Sequence, residues 1–175
     1  MRRILITMVA TMALLAVAAT AAARPVPRAA MSQWAASIDH SGQYGSDGWS
    51  GMQAAGAPNV SGCGDNSAAW APEKPSGTAF IDAFYDTPVT ATKVWIYQTY
   101  HPGAVVSVTA WDSDIARKKV IYTAAPKAES KCPSILKINV KGVPFKVGVL
   151  RVTINQAKSG GSWSEIDAVK LVGTP

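Results

Sequence analysis

Two carboxylates stand close together near the end of the chain, in the stretch GGSWSEIDAVKL at positions 160–171. Glu165 and Asp167 are separated by one residue, and the residues around them are typical of a β-strand. Alternate residues of a strand face the same side, so both side chains would share one face, with Cα atoms about 7 Å apart. Such a pair could do acid–base chemistry, bind a metal ion, or form the polar face of a strand.

A catalytic role for this pair is disfavoured by its geometry. A glycosidase places its two carboxylates on opposite sides of the substrate, whereas Glu165 and Asp167 would lie side by side on one strand. A Ser-His-acid triad could draw only on His40 or His101 as the base, and no G-x-S-x-G motif is present. We therefore predict that the protein is not an enzyme.

The apolar pattern of the same strand is irregular. Ile166 and Ala168 would lie on one side, while Val169 and Leu171 would lie on the side of the carboxylates. Either the strand is covered on both faces, or a bulge changes its register near Ala168. If it is covered, Glu165 is buried and must be paired or bind a ligand, since an unpaired buried carboxylate is costly.

The first 23 residues have the layout of a secretory signal peptide. Arg2 and Arg3 give a positive start, residues 4–18 form an uncharged apolar run, and the alanines at 21–23 precede a cut before Arg24. Because the run approaches the length of a membrane span, a membrane anchor is the alternative. We expect cleavage, a secreted protein (extracellular or periplasmic) and no stable membrane insertion afterwards.

The remaining 152 residues are enough for one domain with a proper core. Residues 24–33 (RPVPRAAMSQ) are expected to be a flexible lead-in, and residues 34–175 a single domain. Loss of the two arginines lowers the net charge from +6 to +4. The densest basic run is only Arg117-Lys118-Lys119, whereas nucleic-acid binding needs clustered Lys and Arg, so we expect no nucleic-acid partner.

The chain has two cysteines, Cys63 and Cys132. Export implies an oxidising compartment, where a single disulfide between them is expected. It would close a loop of about 70 residues and contribute on the order of 4 kcal/mol through the unfolded state. The spacing argues against zinc, since His40 and His101 stand apart from both cysteines.

The distribution of apolar residues predicts an all-β domain. Residues 34–77 are rich in Gly, Ser, Ala and Asn, and we expect a structured loop with a helical turn near 48–56. This loop would cover four buried aromatic residues: Trp34, Tyr44, Trp49 and Trp70. From residue 78 onward, alternating runs predict strands at 78–86, 92–100, 103–112, 118–124, 134–140, 149–155 and 164–172. Seven such strands with no long amphipathic helix predict an antiparallel, jelly-roll-like β-sandwich.

Three stretches, taken together in this order, resemble a known family. They are QAAGAPNVSGCGDNSAAWAP (53–72), VWIYQTYHPGAVVSV (94–108) and GSWSEIDAVKLVG (161–173). The chain is similar over roughly residues 40–173 to the galactose-binding-like sandwich of the discoidin, or coagulation factor 5/8 type C, superfamily. Within it, the chain resembles the sandwich domain of pappalysin-type proteins and the one that precedes the repeats of a leucine-rich-repeat F-box protein. The resemblance implies a non-catalytic module that binds glycans, lipids or proteins through loops at one end.

The resemblance also implies a structural calcium ion between an early Asp-containing loop and a Glu on the last strand. Asp65 and Glu165 are the matching residues, and Asn59 is a third candidate ligand because loop 57–68 is rich in oxygen donors. The alternative is that Asp65 and Asn66 cap a turn while Glu165 accepts amide hydrogen bonds from the loop. In either case we expect Glu165 to touch the Asp65 loop, and Asp167 to have ordinary pairing or solvent contact.

Aromatic residues near Gly-rich turns are the candidates for a ligand surface. They are Tyr44, Trp49, Tyr100, His101 and Trp163. Sugars bind on exposed aromatic faces that are accompanied by a few directed polar groups. Alternatively, Trp49 and Trp163 could be core residues under long loops, with Tyr100 packed at a strand end.

We therefore expect a secreted binding module for carbohydrate or for a cell-surface or extracellular partner. The alternative is a structural or protein–protein interaction domain with no small-molecule ligand. Calcium is the one expected cofactor.

Overall fold

The computed structural model describes residues 28–175. The predicted signal peptide and the start of the predicted lead-in lie outside this range. Within it, no helix is both long enough and apolar enough to cross a membrane.

The described chain forms eight β-strands and one short 3₁₀ turn, Gly51–Ala54. The strands are β1 (Met31–Trp34), β2 (Ser37–His40), β3 (Thr78–Tyr100), β4 (Val105–Trp111), β5 (Lys118–Thr123), β6 (Ser134–Asn139), β7 (Val147–Asn155) and β8 (Glu165–Thr174). The paired strands are antiparallel. The predicted antiparallel sandwich is therefore confirmed.

Strand β3 is shared by two sheets. Its later half lies between β8 and β6, and β8 in turn pairs with β1, which gives a first sheet in the order β1-β8-β3-β6. Its earlier half lies between β2 and β7, which gives a second sheet in the order β2-β3-β7-β4-β5. Buried apolar residues from both sheets form one core.

The sequence predicted two strands, at 78–86 and 92–100, where the structure has the single strand β3. Pro88 lies between them, in a segment where the pairing of β3 with β7 changes register from Phe84 to Val89. Proline lacks an N–H and fixes φ near an extended value, so a register irregularity accommodates it without ending the strand. The remaining five predicted strands are confirmed as β4 to β8, with small shifts at their ends.

Two short strands were not predicted. Strand β1 pairs Met31–Trp34 with β8, and β2 pairs Ser37–His40 with β3. The predicted lead-in at 24–33 is therefore wrong for its last residues, which belong to the first sheet. Strands of four residues contain too little alternation to be recognised from sequence, and here the neighbouring long strands supply their hydrogen bonds.

Strand β8 is covered on both faces and also contains a bulge, the two explanations that its irregular apolar pattern allowed. Residues Glu165–Val169 are buried in succession, so this part of the strand is covered on both faces. The pairing with β3 also skips Asp167, because Tyr97 pairs with Ala168 while the next residue, Gln98, pairs with Ile166. A bulge at Asp167 thus changes which face the following side chains occupy.

The four aromatic residues predicted to be buried have different environments. Trp70 is completely buried, and its backbone pairs with Ile166 of β8 through N–H···O bonds of 2.9 and 3.1 Å. Trp34 and Trp49 are only half-buried, and Tyr44 is 55% exposed. The prediction of burial is therefore confirmed for Trp70 and wrong for Tyr44, whose loop leaves the ring facing solvent.

The predicted disulfide is confirmed. Cys63 and Cys132 are bonded across a sequence separation of 69 residues. The bond ties loop 57–68 to the segment just before β6. A further backbone bond, from the Gly64 N–H to the Thr99 carbonyl at 3.1 Å, joins the same loop to β3.

Candidate functional site

Three of the five predicted ligand residues meet at one end of the sandwich. The ring of Tyr44 lies edge-to-face with Trp49 and Trp163, at centroid distances of 5.5 and 5.1 Å. Tyr44 and Trp49 come from one loop and Trp163 from the connection before β8. The fold therefore brings together two loops that are more than a hundred residues apart in the sequence.

Hydrogen bonds fix the two tryptophans of this cluster. The Trp163 Nε1–H donates to the Pro72 carbonyl at 2.9 Å, and the Trp49 Nε1–H donates to Asp65 Oδ1 at 2.7 Å. Trp49 has a φ of 55°, a conformation that is uncommon for a large side chain. Its N–H bonds the Ser67 carbonyl at 2.8 Å, and this bond helps to hold it there. The exposed ring of Tyr44 therefore packs on two tryptophans that hydrogen bonds hold in place.

The aromatic cluster forms the wall of a small cleft. The cleft has a volume of about 120 Å³ and is lined by Tyr44, Trp49, Asp65, Ala71, Trp163 and Glu165. Ligand pockets for drug-sized molecules usually measure roughly 300–1,000 Å³, so this cleft suits the edge of a single small ring. Hereafter it is called the loop cleft.

Tyr100 and His101 lie beside the loop cleft and do not line it. Their rings pack edge-to-face at 4.2 Å, and the Ser162 hydroxyl lies 3.4 Å from the Tyr100 hydroxyl. His101 is partly exposed and has a φ of 42°, in the left-handed region, within the turn that follows β3. These two residues extend the surface on the Trp163 side of the cleft.

Glu165 forms part of the cleft lining and is 1% exposed. The Asn66 N–H donates to its two carboxylate oxygens, at 3.2 and 3.4 Å. Burial raises the pKa of Glu165, the Asn66 N–H lowers it and the neighbouring Asp65 carboxylate raises it, and the net result is a pKa of about 8. The expected contact between Glu165 and the Asp65 loop is therefore present, in the form of amide hydrogen bonding.

Asp167 is also buried, so of its two expected environments, ordinary pairing or solvent, the structure has pairing. Its two oxygens accept the N–H groups of Asn59 at 3.2 Å and Val60 at 3.3 Å. Burial raises its pKa, and these two N–H groups oppose the rise. The bulge in β8 turns Asp167 toward the start of loop 57–68, while Glu165 holds its later part. The two carboxylates of the sequence pair thus anchor the same loop at two points.

The residues predicted to bind calcium are only partly brought together. Asp65 and Glu165 both line the loop cleft, whereas Asn59 lies at Asp167 and does not line it. Within residues 28–175, no group of three or more His, Cys, Asp or Glu side chains is arranged to hold a metal ion. Calcium takes roughly six to eight oxygen ligands. Because Asn59 does not line the loop cleft, Asn59, Asp65 and Glu165 do not together form the core of such a coordination shell. A calcium site on Asp65 and Glu165 stays a prediction.

The fold and the loop cleft define the class of protein. The antiparallel sandwich, whose last strand supports a cluster of loops at one end, is the fold that the resemblance to galactose-binding-like domains implied. The chain belongs to the domain family described as pappalysin-1, SD scarf domain, C-terminal, whose model matches residues 26–175.

Solved structures share this fold at low sequence identity. The F5/8 type C domain of a Bacteroides fragilis protein has a TM-score of 0.54 and 13% identity, and the match covers 81% of this chain and 97% of that one. The structure of reduced XRCC1 bound to the DNA polymerase beta catalytic domain gives a TM-score of 0.60 and 12% identity, over 82% and 98%. Chitosan-binding module 1 of a Paenibacillus sp. IK-5 chitosanase/glucanase gives 0.50 and 13%, over 77% and 92%. No curated protein matches the chain.

Proposed function

We propose that this protein is a secreted, non-catalytic module that binds carbohydrate in the loop cleft. The observation that carries the proposal is the exposed ring of Tyr44, supported by Trp49 and Trp163, above the Asp65 and Glu165 carboxyl groups. A sugar presents C–H groups on one face and hydroxyl groups at its edge, so it can meet an aromatic wall and hydrogen-bond acceptors at the same time.

The roles of the carboxylates support a binding module over an enzyme. Asp167 is occupied by two backbone N–H groups and does not line the loop cleft. Glu165 lies close enough to Asp65 for that carboxylate to raise its pKa, whereas a glycosidase needs its two carboxylates on opposite sides of the bond that it cleaves. The chitosan-binding module has the same fold, which supports a carbohydrate ligand for this chain.

Tyr44→Ala is expected to weaken sugar binding about tenfold, because the exposed ring supplies most of the stacking surface. The ligand would be found with a glycan array that includes galactosides and amino-sugar oligomers, and the affinity then measured by calorimetric titration. Tyr44→Phe is the matched control, since it keeps the ring and should retain most of the affinity.

Two outcomes would contradict the carbohydrate proposal. One is that the folded protein binds no glycan on the array, which would favour a protein-interaction domain. The other is that Tyr44→Ala binds as tightly as the unchanged protein, which would place the sugar outside the loop cleft. The melting temperature of each variant shows whether it is folded. Secretion is tested separately, by finding a chain that begins at Arg24 outside the producing cell.

A further inference from the structure

A row of alternating tryptophan and lysine crosses the outer face of the first sheet. Trp34 of β1 pairs with Lys170 of β8, Lys170 pairs with Trp95 of β3, and Trp95 pairs with Lys137 of β6. These residues are directly opposite one another on four adjacent strands, which are spaced about 4.8 Å apart. The row is therefore about 14 Å long, and hereafter it is called the Trp–Lys row.

The side chains of the row are in contact along its length. The Lys170 ammonium lies 4.7 Å from the ring centre of Trp34 and 5.1 Å from that of Trp95, and the Lys137 ammonium lies 5.2 Å from that of Trp95. Lys137 is exposed and the other three side chains are half-buried. Tyr97 continues the aromatic surface, edge-to-face with Trp34 at 5.4 Å.

The row borders a groove of about 610 Å³. Lys137 of the Trp–Lys row and the adjacent Tyr97 also line the groove. The groove adds Lys131 and the apolar side chains of Val60 and Ile135, the last of which is 41% exposed. Its size falls within the range of known ligand sites, whereas the loop cleft is smaller than that range.

The charge of this surface is positive and is not neutralised by the described residues. None of Lys131, Lys137 and Lys170 forms an ion pair with a carboxylate in residues 28–175. Asp167 is the one acidic residue in the groove, and its oxygens are directed at the backbone N–H groups of Asn59 and Val60. An anionic ligand would therefore meet three lysines and a single, internally paired carboxylate.

From this arrangement we infer that the outer face of the first sheet binds an acidic polysaccharide. The sugar rings would lie on Trp34, Trp95 and Tyr97, and their carboxylate or sulfate groups would pair with Lys137, Lys170 and Lys131. Alternating aromatic and cationic groups match a polymer in which each ring carries or adjoins a negative charge. An acidic peptide would use the lysines but would leave the flat aromatic surface without a matching partner.

This second site is separate from the loop cleft and does not depend on the proposed function. The two surfaces share no lining residue. Tyr44→Ala should leave acidic-polysaccharide binding unchanged, and substitutions in the Trp–Lys row should leave binding in the loop cleft unchanged. The failure of one proposal can thus be distinguished from the failure of the other.

The test measures binding of the protein to polygalacturonate and to dextran sulfate, with neutral dextran and polyglutamate for comparison. Lys137→Ala combined with Lys170→Ala is expected to weaken binding to at least one of the two anionic polysaccharides about tenfold. The comparison between them shows whether uronate or sulfate is preferred. Binding should also weaken as the salt concentration rises.

The second sheet offers a matched control. Lys118 lies 5.0 Å from the ring centre of Trp111 and is directly opposite it in the β4–β5 pairing. Lys118→Ala therefore removes the same charge from the same kind of pair on a different face. It should leave binding nearly unchanged, whereas Trp95→Phe should weaken it with little effect on folding.

Three results would overturn the inference. The first is that the unchanged protein binds neither anionic polysaccharide at low salt. The second is that Lys118→Ala, measured beside Lys137→Ala, weakens binding equally, which would mean that only overall charge matters. The third is that polyglutamate binds at least as tightly as polygalacturonate, which would favour an acidic peptide as the ligand.

Discussion

Replacing both Cys63 and Cys132 with serine is expected to lower the free energy of unfolding by about 4 kcal/mol. The bond closes a separation of 69 residues, and removing it gives the unfolded chain the conformational freedom of that long loop. For a domain of this size, such a loss corresponds to a fall in melting temperature of about 10 °C. Both cysteines are replaced so that no free thiol remains.

The measurement is thermal and denaturant unfolding of the unchanged protein and of the double variant, each with and without a reductant. Reductant should destabilise the unchanged protein and leave the variant unaffected. A loss of less than about 1 kcal/mol in the free energy of unfolding would contradict the prediction, because a disulfide that closes a long loop should stabilise the protein most. It would mean that Glu165 and Asp167 hold loop 57–68 without help from the disulfide.

Glu165→Gln is expected to stabilise the protein at pH 9 and to have little effect at pH 5. The pKa of Glu165 is raised from 4.5 to about 8 in the folded state, so folding favours the neutral form. Its contribution to stability is complete below about pH 4.5 and is lost as the pH rises through 8. The difference between variant and unchanged protein should therefore grow over this window, by about 1.4 kcal/mol for each pH unit.

The measurement is the melting temperature of both proteins from pH 4 to pH 9, with a chelator present. Gln keeps the shape of the side chain and can still accept the Asn66 N–H bond. Tyr44→Phe serves as a control, since it alters a residue of the same cleft without changing the carboxyl groups. If the melting temperatures of Glu165→Gln and the unchanged protein differ by the same amount at every pH, Glu165 does not titrate in this window.

The same experiment in excess calcium tests the predicted ion. If calcium binds at Asp65 and Glu165, it should raise the melting temperature of the unchanged protein by several degrees at pH 8, because it binds only the folded state. Glu165→Gln should lose this increase. If calcium has no effect on the unchanged protein, the loop is held by the disulfide and by amide hydrogen bonds alone.

Much of the scaffold could be predicted from short-range patterns. Alternation along β4, β6 and β7 predicted strands because a half-buried strand repeats every two residues. The pairing of Cys63 with Cys132 followed from their number and from the expected compartment. The irregular apolar pattern around Ala168 indicated either a covered strand or a bulge, and the structure has both, with the bulge at Asp167.

The Trp–Lys row on the outer face of the first sheet is not predicted from the sequence, although part of its alternating pattern lies in TKVWIYQTY (92–100). In this stretch Trp95 and Tyr97 alternate with Val94 and Ile96, so aromatic residues occupy the face opposite the core. Trp34 was assigned to the core because its strand was not recognised. Without β1 and its register against β8, nothing in the sequence places Trp34 beside Lys170.

The sequence by itself therefore determined the class of fold, the disulfide and the importance of the Glu165 strand. These follow from local periodicity and residue chemistry, which act over a few positions. Three arrangements exist only in the folded chain: Glu165 and Asp167 anchor one loop at two points, Tyr44 meets Trp163, and two tryptophans alternate with two lysines. The reason is that each of these arrangements depends on strand register, which is set by packing between segments distant in the chain.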